Sequence, residues 1–324
     1  MSRLIAVLLA LLVMAFAVSL LAGRVWLPLS ALHEVLSDRR SLSALIVEDI
    51  RLPRTLLALT MGAVLGLSGA VLQGFTRNPL AEPALLGVAT GAALGAVIAI
   101  YFGLAAVSPL TGPLLGMLGG LAACAMTFAL GRGGTVTLVL AGAAVSSLTA
   151  AGIALALNFA PNPYAAYEIM NWLLGSLADK SWPQVWLVLP FAAIGSVLLG
   201  TTGRALDALS LGEAQAQSLG VDLRRLNFKV VFGTALAVGA VTSVTGAIGF
   251  IGLVAPHLMR PLLGYQPNRI LLPSALAGAL LLLAADIAAR LIHTGPELKL
   301  GVFTSLLGTP FFFWLVMRLR RTAP

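Results

Sequence analysis

Asp286 and Arg290 stand four residues apart in an otherwise apolar stretch, the i, i+4 spacing that lets a carboxylate meet a guanidinium on one helix face. An ionisable pair inside a hydrophobic run serves either as a functional site or as a structural ion pair near the membrane interface, and the spacing fits both. His257 has the chemistry of a ligand or a proton relay, but no Asp, Glu or Cys stands near it in sequence, which equally fits a packed histidine. Ser146, Ser147 and Thr149 form a polar patch that either lines a pathway or hydrogen-bonds back to its own helix. Cys124 is the single cysteine, so an intrachain disulfide and a cysteine metal cluster are excluded, and His33, His257 and His293 are far apart. The chain contains no Gly-x-x-x-x-Gly-Lys-Ser/Thr, His-Glu-x-x-His or Gly-x-Ser-x-Gly pattern. Any ATP chemistry must therefore sit on another chain, and neither a catalytic constellation nor a metal site is expected here.

The elements that must position these residues are hydrophobic helices. Hydrophobic residues make up 59% and charged residues 10% of the chain, with a mean hydropathy of +0.99, more apolar surface than a soluble core of this length can use. A crossing takes roughly 20 apolar residues, and polar breaks divide the chain into spans near 4–23, 55–75, 84–104, 112–131, 136–159, 184–203, 227–248, 250–264, 270–292 and 301–319. The run after Arg3 is long for a signal-peptide core and is read as a retained first helix. Lys and Arg mostly flank the apolar runs, without the aromatic-interleaved stripe of a nucleic-acid surface, so the net charge of +8 reports topology and no nucleic-acid partner is expected. With the N-terminus in the cytoplasm, an even number of spans returns the C-terminus there, and the larger share of the 20 Lys and Arg falls inside.

Three polar interruptions stand out. Gly203–Lys229 carries Arg204, Asp207, Glu213, Asp222, Arg224 and Arg225 around the small-residue core Leu211-Gly-Glu-Ala-Gln-Ala-Gln-Ser-Leu-Gly220, and topology places it in the cytoplasm, facing a soluble partner. Gln73-Gly-Phe-Thr-Arg-Asn-Pro-Leu-Ala-Glu-Pro83 breaks a helical hairpin, as a gate turn or as an ordinary cytoplasmic turn. Gly246-Ala-Ile-Gly-Phe-Ile-Gly-Leu-Val-Ala-Pro-His-Leu-Met-Arg260 is a second break, with Pro256 kinking or ending a turn. Outside, Arg24–Arg54 is charge-rich, and Pro161–Lys180, with Tyr164, Tyr167, Trp172 and Trp182, fits an interfacial helix or a surface loop. The two breaks fall on opposite sides, which suits inverted-repeat halves.

Arg51-Leu-Pro-Arg54, Ser68-Gly69, Gln73, Asn78-Pro-Leu-Ala-Glu-Pro83 and Leu86-Gly-Val88 resemble the first half of the ABC-importer permeases for iron-siderophores, haem and cobalamin. The second half is similar at Ser218-Leu-Gly-Val221, Gly246–Val254, Pro256-His257, Arg260, Leu272-Pro273, Ala285-Asp286, Arg290 and Gly308-Thr-Pro-Phe311. One departure is Glu297-Leu-Lys-Leu-Gly301, where Lys299 replaces the family's proline.

The resemblance implies an all-α polytopic fold of ten spans in one permease domain over 1–324, with six spans in 4–203, a cytoplasmic coupling loop at 204–226 and four spans in 227–319. It implies a multi-pass protein of the bacterial inner membrane, paired with a second permease copy. Two ATPase subunits that hold ATP and Mg would power it, and a periplasmic or lipid-anchored binding protein would deliver an iron chelate, a siderophore first, with haem or cobalamin as the alternative. No cofactor is implied on this chain. By the same resemblance Arg51, Arg54 and Arg290 would face outward and pair with acids of the binding protein. Leu209, Leu211, Gly212, Glu213, Ala214, Gln215, Ala216, Gln217, Ser218, Leu219, Gly220 and Val221 would contact the ATPase. Gln73, Asn78, Pro79, Leu80, Ser146 and Ser147 would lie at the pathway and its gate. The rival classes are an intramembrane enzyme, which needs clustered acids or histidines, and a proton-coupled carrier, in which Glu82, Asp286 or Glu297 would titrate.

Overall fold

A computed structural model of the chain describes residues 1–37, 40–104, 107–131, 135–292 and 297–322. His293 and, within the Arg24–Arg54 interruption, Asp38 and Arg39 lie outside the described residues. The described elements are helices: α1 (Ser2–Leu21), α2 (Ser30–Ser37), α3 (Leu42–Leu45), α4 (Leu52–Thr76), α5 (Val88–Tyr101), α6 (Thr111–Leu130), α7 (Thr135–Asn158), α8 (Pro163–Leu173), α9 (Trp182–Gly200), α10 (Gly203–Leu209), α11 (Glu213–Ser218), α12 (Leu223–Thr245), α13 (Ile251–Leu263), α14 (Pro267–Leu291) and α15 (Leu300–Thr322).

The ten expected spans fall on ten of these helices. Seven are long and apolar enough to cross a membrane, counting Leu42–Thr76 as one, while α5, α13 and the apolar part of α15 are shorter. At 1.5 Å per residue α13 reaches only about 20 Å, so it enters the bilayer without crossing it alone. The span expected at 84–104 starts as a single 3-10 turn, Pro83–Leu86, and becomes α-helical only after Gly87, whose φ of 72° breaks the rod. Within the Arg24–Arg54 interruption the chain folds into α2, α3 and one wide π turn, Ile46–Arg51, that runs on into α4. Pro161–Lys180 holds a helix: Asn162 accepts the Ala165 N–H at 2.8 Å, Pro163 opens α8, and Tyr164 and Tyr167 stay exposed.

Burial grades the helices. The apolar windows of Leu42–Thr76 and α12 are 78% buried against 22% for α1, so α4 and α12, joined by α14, make the centre, and α1, α6, α7 and α9 leave most of their apolar windows uncovered within this chain. Small residues set the closest approach. A methyl added at Gly62 would fall on the Gly278 carbonyl, and one at Gly66 on the Ser274 carbonyl, so α4 and α14 touch backbone to backbone. Near its end α4 crosses the start of α13 in the same way, Gly69 against Gly252. The two expected breaks therefore meet: the Gln73 amide donates to the Gly252 carbonyl at 3.2 Å, and Gly252 also lies against Pro83.

Candidate functional site

Functional side chains gather at the two ends of the α4 and α14 rods. At the first end, α1 stops at Leu21 with unsatisfied carbonyls, and two arginines fill them. The π turn aims Arg51 at that terminus, donating to Leu20 O at 3.0 Å and Val25 O at 2.7 Å. Arg290, in the last turn of α14, donates to Ser19 O at 3.0 Å and to Ala22 O at 3.4 Å. Asp286, one turn earlier, is fully buried and pairs with Arg290 on its own helix and with Arg54 across on α4, whose Nε and Nη2 approach Oδ1 at 3.0 and 2.7 Å. Arg54 also reaches Glu297, just before α15.

Arg51, Arg54 and Arg290, expected to face outward, gather at this one end with their side chains largely covered within the chain. The side chains of Arg54 and Arg290 are only 11% and 5% exposed, and Arg51 is buried as well. The cause is Asp286: a carboxylate with no access to water must be paired, and it holds two guanidiniums inward, while the orphan carbonyls of α1 hold the third. Behind the surface lies a cavity of about 240 Å³ lined by Arg24, Arg51, Arg54, Arg290 and Glu297. Within this group Arg54 and Arg290 pair with Asp286, and Arg54 pairs with Glu297 as well.

Lys299, in place of the family proline, leaves the turn intact. Its carbonyl accepts the Phe303 N–H at 3.1 Å to open α15, and Gly301 N donates to Gly175 O at 3.2 Å. Burial lowers the pKa of half-buried Lys180 on the same rim; Asp179 opposes the shift and Lys299 adds to it.

At the other end, Arg77 terminates α4 in the left-handed region with φ 52°. Asn78 then accepts the Leu80 N–H at 2.9 Å, and Pro79 follows it. Gln73 is buried, and its carbonyl oxygen accepts from Arg260 of α13. Ser146 on α7 donates to Ala84 O at 3.3 Å, which brings α7 against the 3-10 turn, whereas Ser147 only back-bonds to Ala143 O at 3.0 Å. Of the residues expected at the pathway, the structure joins Gln73 to α13 and Ser146 to the turn beyond Leu80.

The polar segment is two short helices, α10 and α11, and positive-φ glycines bracket the second, with φ of 112° at Gly212 and 85° at Gly220. Leu209 and Ala216 point inward as anchors, while Ala214, Gln215, Gln217, Ser218 and Gly220 are exposed, together with Leu211 at 64% and Leu219 at 65%. Gly212, Glu213 and Val221 are half-buried. The Asp207 carboxylate fixes α10 to the start of α14 through Gln266 Nε2 and Asn268 N, both at 2.8 Å. Glu213 accepts from Thr135, the first residue of α7, at 2.7 Å.

Three partnerships were not anticipated from sequence: Arg54 with Asp286 and Glu297, Arg260 with Gln73, and Thr135 with Glu213. Charges inside apolar runs signalled the first two, since each needs a partner. Thr135 carries no such signal.

The FecCD transport family model matches residues 11–318. The chain is 40% identical over 304 residues, 92% of its length and 89% of the other's, to the vitamin B12 import system permease protein BtuC of Vibrio cholerae. It is 39% identical over 282 residues, 84% of its length and 83% of the other's, to the hemin transport system permease protein HmuU of Yersinia pestis. A solved ABC transporter described as of metal-chelate type, in an inward-facing conformation, superposes with a TM-score of 0.89 at 32% identity, covering 98% of this chain and 100% of that one. With the family match spanning both ends of the α4 and α14 rods, the chain belongs to the FecCD transport family, as a multi-pass, non-catalytic permease subunit of an ABC importer.

Proposed function

We propose that this permease moves a haem- or cobalamin-class metal chelate inward across a bacterial inner membrane, with two copies of the chain forming the pathway. The iron-siderophore expected first has less support, because the two relatives above are named for vitamin B12 and hemin. The observation that carries the mechanism is the separation of two unlike features by the length of α4, 25 residues or about 37 Å. One end holds the cation-rich recess, and the other exposes α11 between Leu211 and Leu219.

In this reading a carboxylate of the binding protein enters the recess and meets the guanidiniums that line it. Complementary charge there sets docking register more than affinity. At the opposite end a groove of the ATPase takes the exposed small and amide side chains Ala214, Gln215, Gln217 and Ser218. ATP-driven closure displaces α11, and the pathway shifts between outward-open and inward-open states. The gate turn Asn78–Leu80, held to α13 by Gln73 and to α7 by Ser146, follows that movement.

The test uses liposomes holding the permease with its ATPase, ATP inside and the binding protein outside, offered cobalamin, haemin or a ferric siderophore. ATP-dependent accumulation of cobalamin or haemin is expected. Accumulation of the siderophore alone would overturn the cargo, and uptake indifferent to ATP would overturn the mechanism.

A further inference from the structure

A cavity of about 500 Å³ opens at the α10–α11 end, between α4, α13, α14 and α15, with Gln73, Arg77, Ser210, His257, Arg260 and Tyr265 on its wall. No Asp or Glu lines it among the described residues. Arg260 is half-buried, and its one hydrogen-bond acceptor among the described residues is the neutral amide of Gln73. Arg77 sits on the same wall, and neither arginine has a carboxylate within ion-pair distance among the described residues. The carboxylate of neighbouring Asp207 is already engaged by Gln266 and Asn268. This inverts the other end of the bundle, where buried guanidiniums meet Asp286 and Glu297. A half-buried guanidinium without a counter-ion is costly, and one facing a cavity of ligand size calls for an anion from outside the chain.

We infer that this cavity binds the phosphate headgroup of an anionic phospholipid. Arginine is suited to phosphate because its fork of donors matches the oxygens bidentately. The cavity wall carries apolar Ile270 and Leu315 beside the arginines. Tyr265 on its wall is 78% exposed, and Leu262, next in sequence to the lining residue Pro261, is 61% exposed. An acyl chain would run along that apolar edge, and a tyrosine at the headgroup level is a common interfacial anchor. Basic pockets between membrane helices at the cytoplasmic leaflet are where anionic headgroups bind. A bound headgroup would join the end of α4 to α13, the two elements that Gln73 and Arg260 already connect.

Native mass spectrometry of the purified full-length chain, titrated with phosphatidylglycerol or phosphatidylcholine, tests the site without reference to transport. Two guanidiniums should favour phosphatidylglycerol by about tenfold or more. Arg77→Gln with Arg260→Gln should bring that preference down to none, and Arg77→Lys with Arg260→Lys, which keeps both charges and guards against misfolding but loses the bidentate fork, should retain part of it. Arg269→Gln, at an exposed position near the start of α14 and outside the cavity lining, should change nothing. Inorganic phosphate should displace the lipid only in large excess. Equal binding of the two lipids, a preference that survives the double glutamine variant, or a loss in Arg269→Gln as large as in that variant would overturn the proposal. Inorganic phosphate binding alone as tightly as phosphatidylglycerol would assign the site to a free anion and overturn the lipid.

Discussion

Asp286 is the residue on which the arginine end depends. It is fully buried, it accepts from Arg54 and Arg290, and each of those arginines in turn ties down another element, Glu297 before α15 or the terminus of α1. Removing one member of a buried ion pair strands the rest, at a cost of about 3–5 kcal/mol. Asp286→Asn should therefore lower the thermal unfolding midpoint in detergent markedly. Asp286→Leu combined with Arg290→Met should cost less, since Arg54 keeps Glu297; a double variant no better than Asp286→Asn would show that the charges are not what holds this end. The Asp286–Arg290 pair was legible in the sequence because it is local. Arg54 was not legible as its third member, because a contact across more than two hundred residues leaves no trace in spacing. Nor does a sequence show which arginines a buried carboxylate holds in place, so the burial of Arg54 and Arg290 around Asp286 came only from the structure.

Helices α4 and α14 approach as closely as their glycines permit. Gly66→Ala would drive a methyl into the Ser274 carbonyl, and since backbone cannot rotate away the helices must part. A cost of about 1–3 kcal/mol is expected, read as a lower unfolding midpoint. Gly200→Ala, where nothing lies within 4 Å, is the control and should leave the midpoint unchanged or slightly raised. The hydrogen bond from Thr135 to Glu213 joins α7 to α11. If α11 takes the push of the ATPase, Thr135→Val should lower cargo moved per ATP while hydrolysis continues, by about fivefold for one lost hydrogen bond, and Thr135→Ser should restore it. Equal ratios in the three proteins would remove Thr135 from the relay. Hydropathy made the long helices legible, since lipid demands a continuous apolar run. It blurred α5 and α13, because the left-handed residues Gly87 and Phe250 that precede them interrupt the backbone without interrupting the apolar run. It passed over α2 and the π turn, which are too short and too charged to register.

Across the whole molecule, the buried rods α4, α12 and α14 stand between a cation-rich recess and an exposed pair of short helices, and mainly apolar helices surround them. The family was legible because its motifs recur in order along the chain, some at turns such as those at 78–83 and 246–250 and others at close helix contacts such as Gly69 against Gly252. The cargo was not, because the motifs resemble siderophore, haem and cobalamin permeases alike, and the relatives named for vitamin B12 and hemin moved the preference away from the siderophore. Transport by this plan requires that a push on α11 reach the pathway. Gln215 is exposed on α11 and Ala216 beside it is buried, so a bulky side chain at 215 meets the partner and leaves the fold alone. The decisive measurement is cargo accumulated per ATP hydrolysed in liposomes, for the native chain and for Gln215→Trp. Hydrolysis that persists while accumulation per ATP falls several-fold is the predicted result, and an unchanged ratio would contradict the assignment of α11 as the element through which ATP drives import.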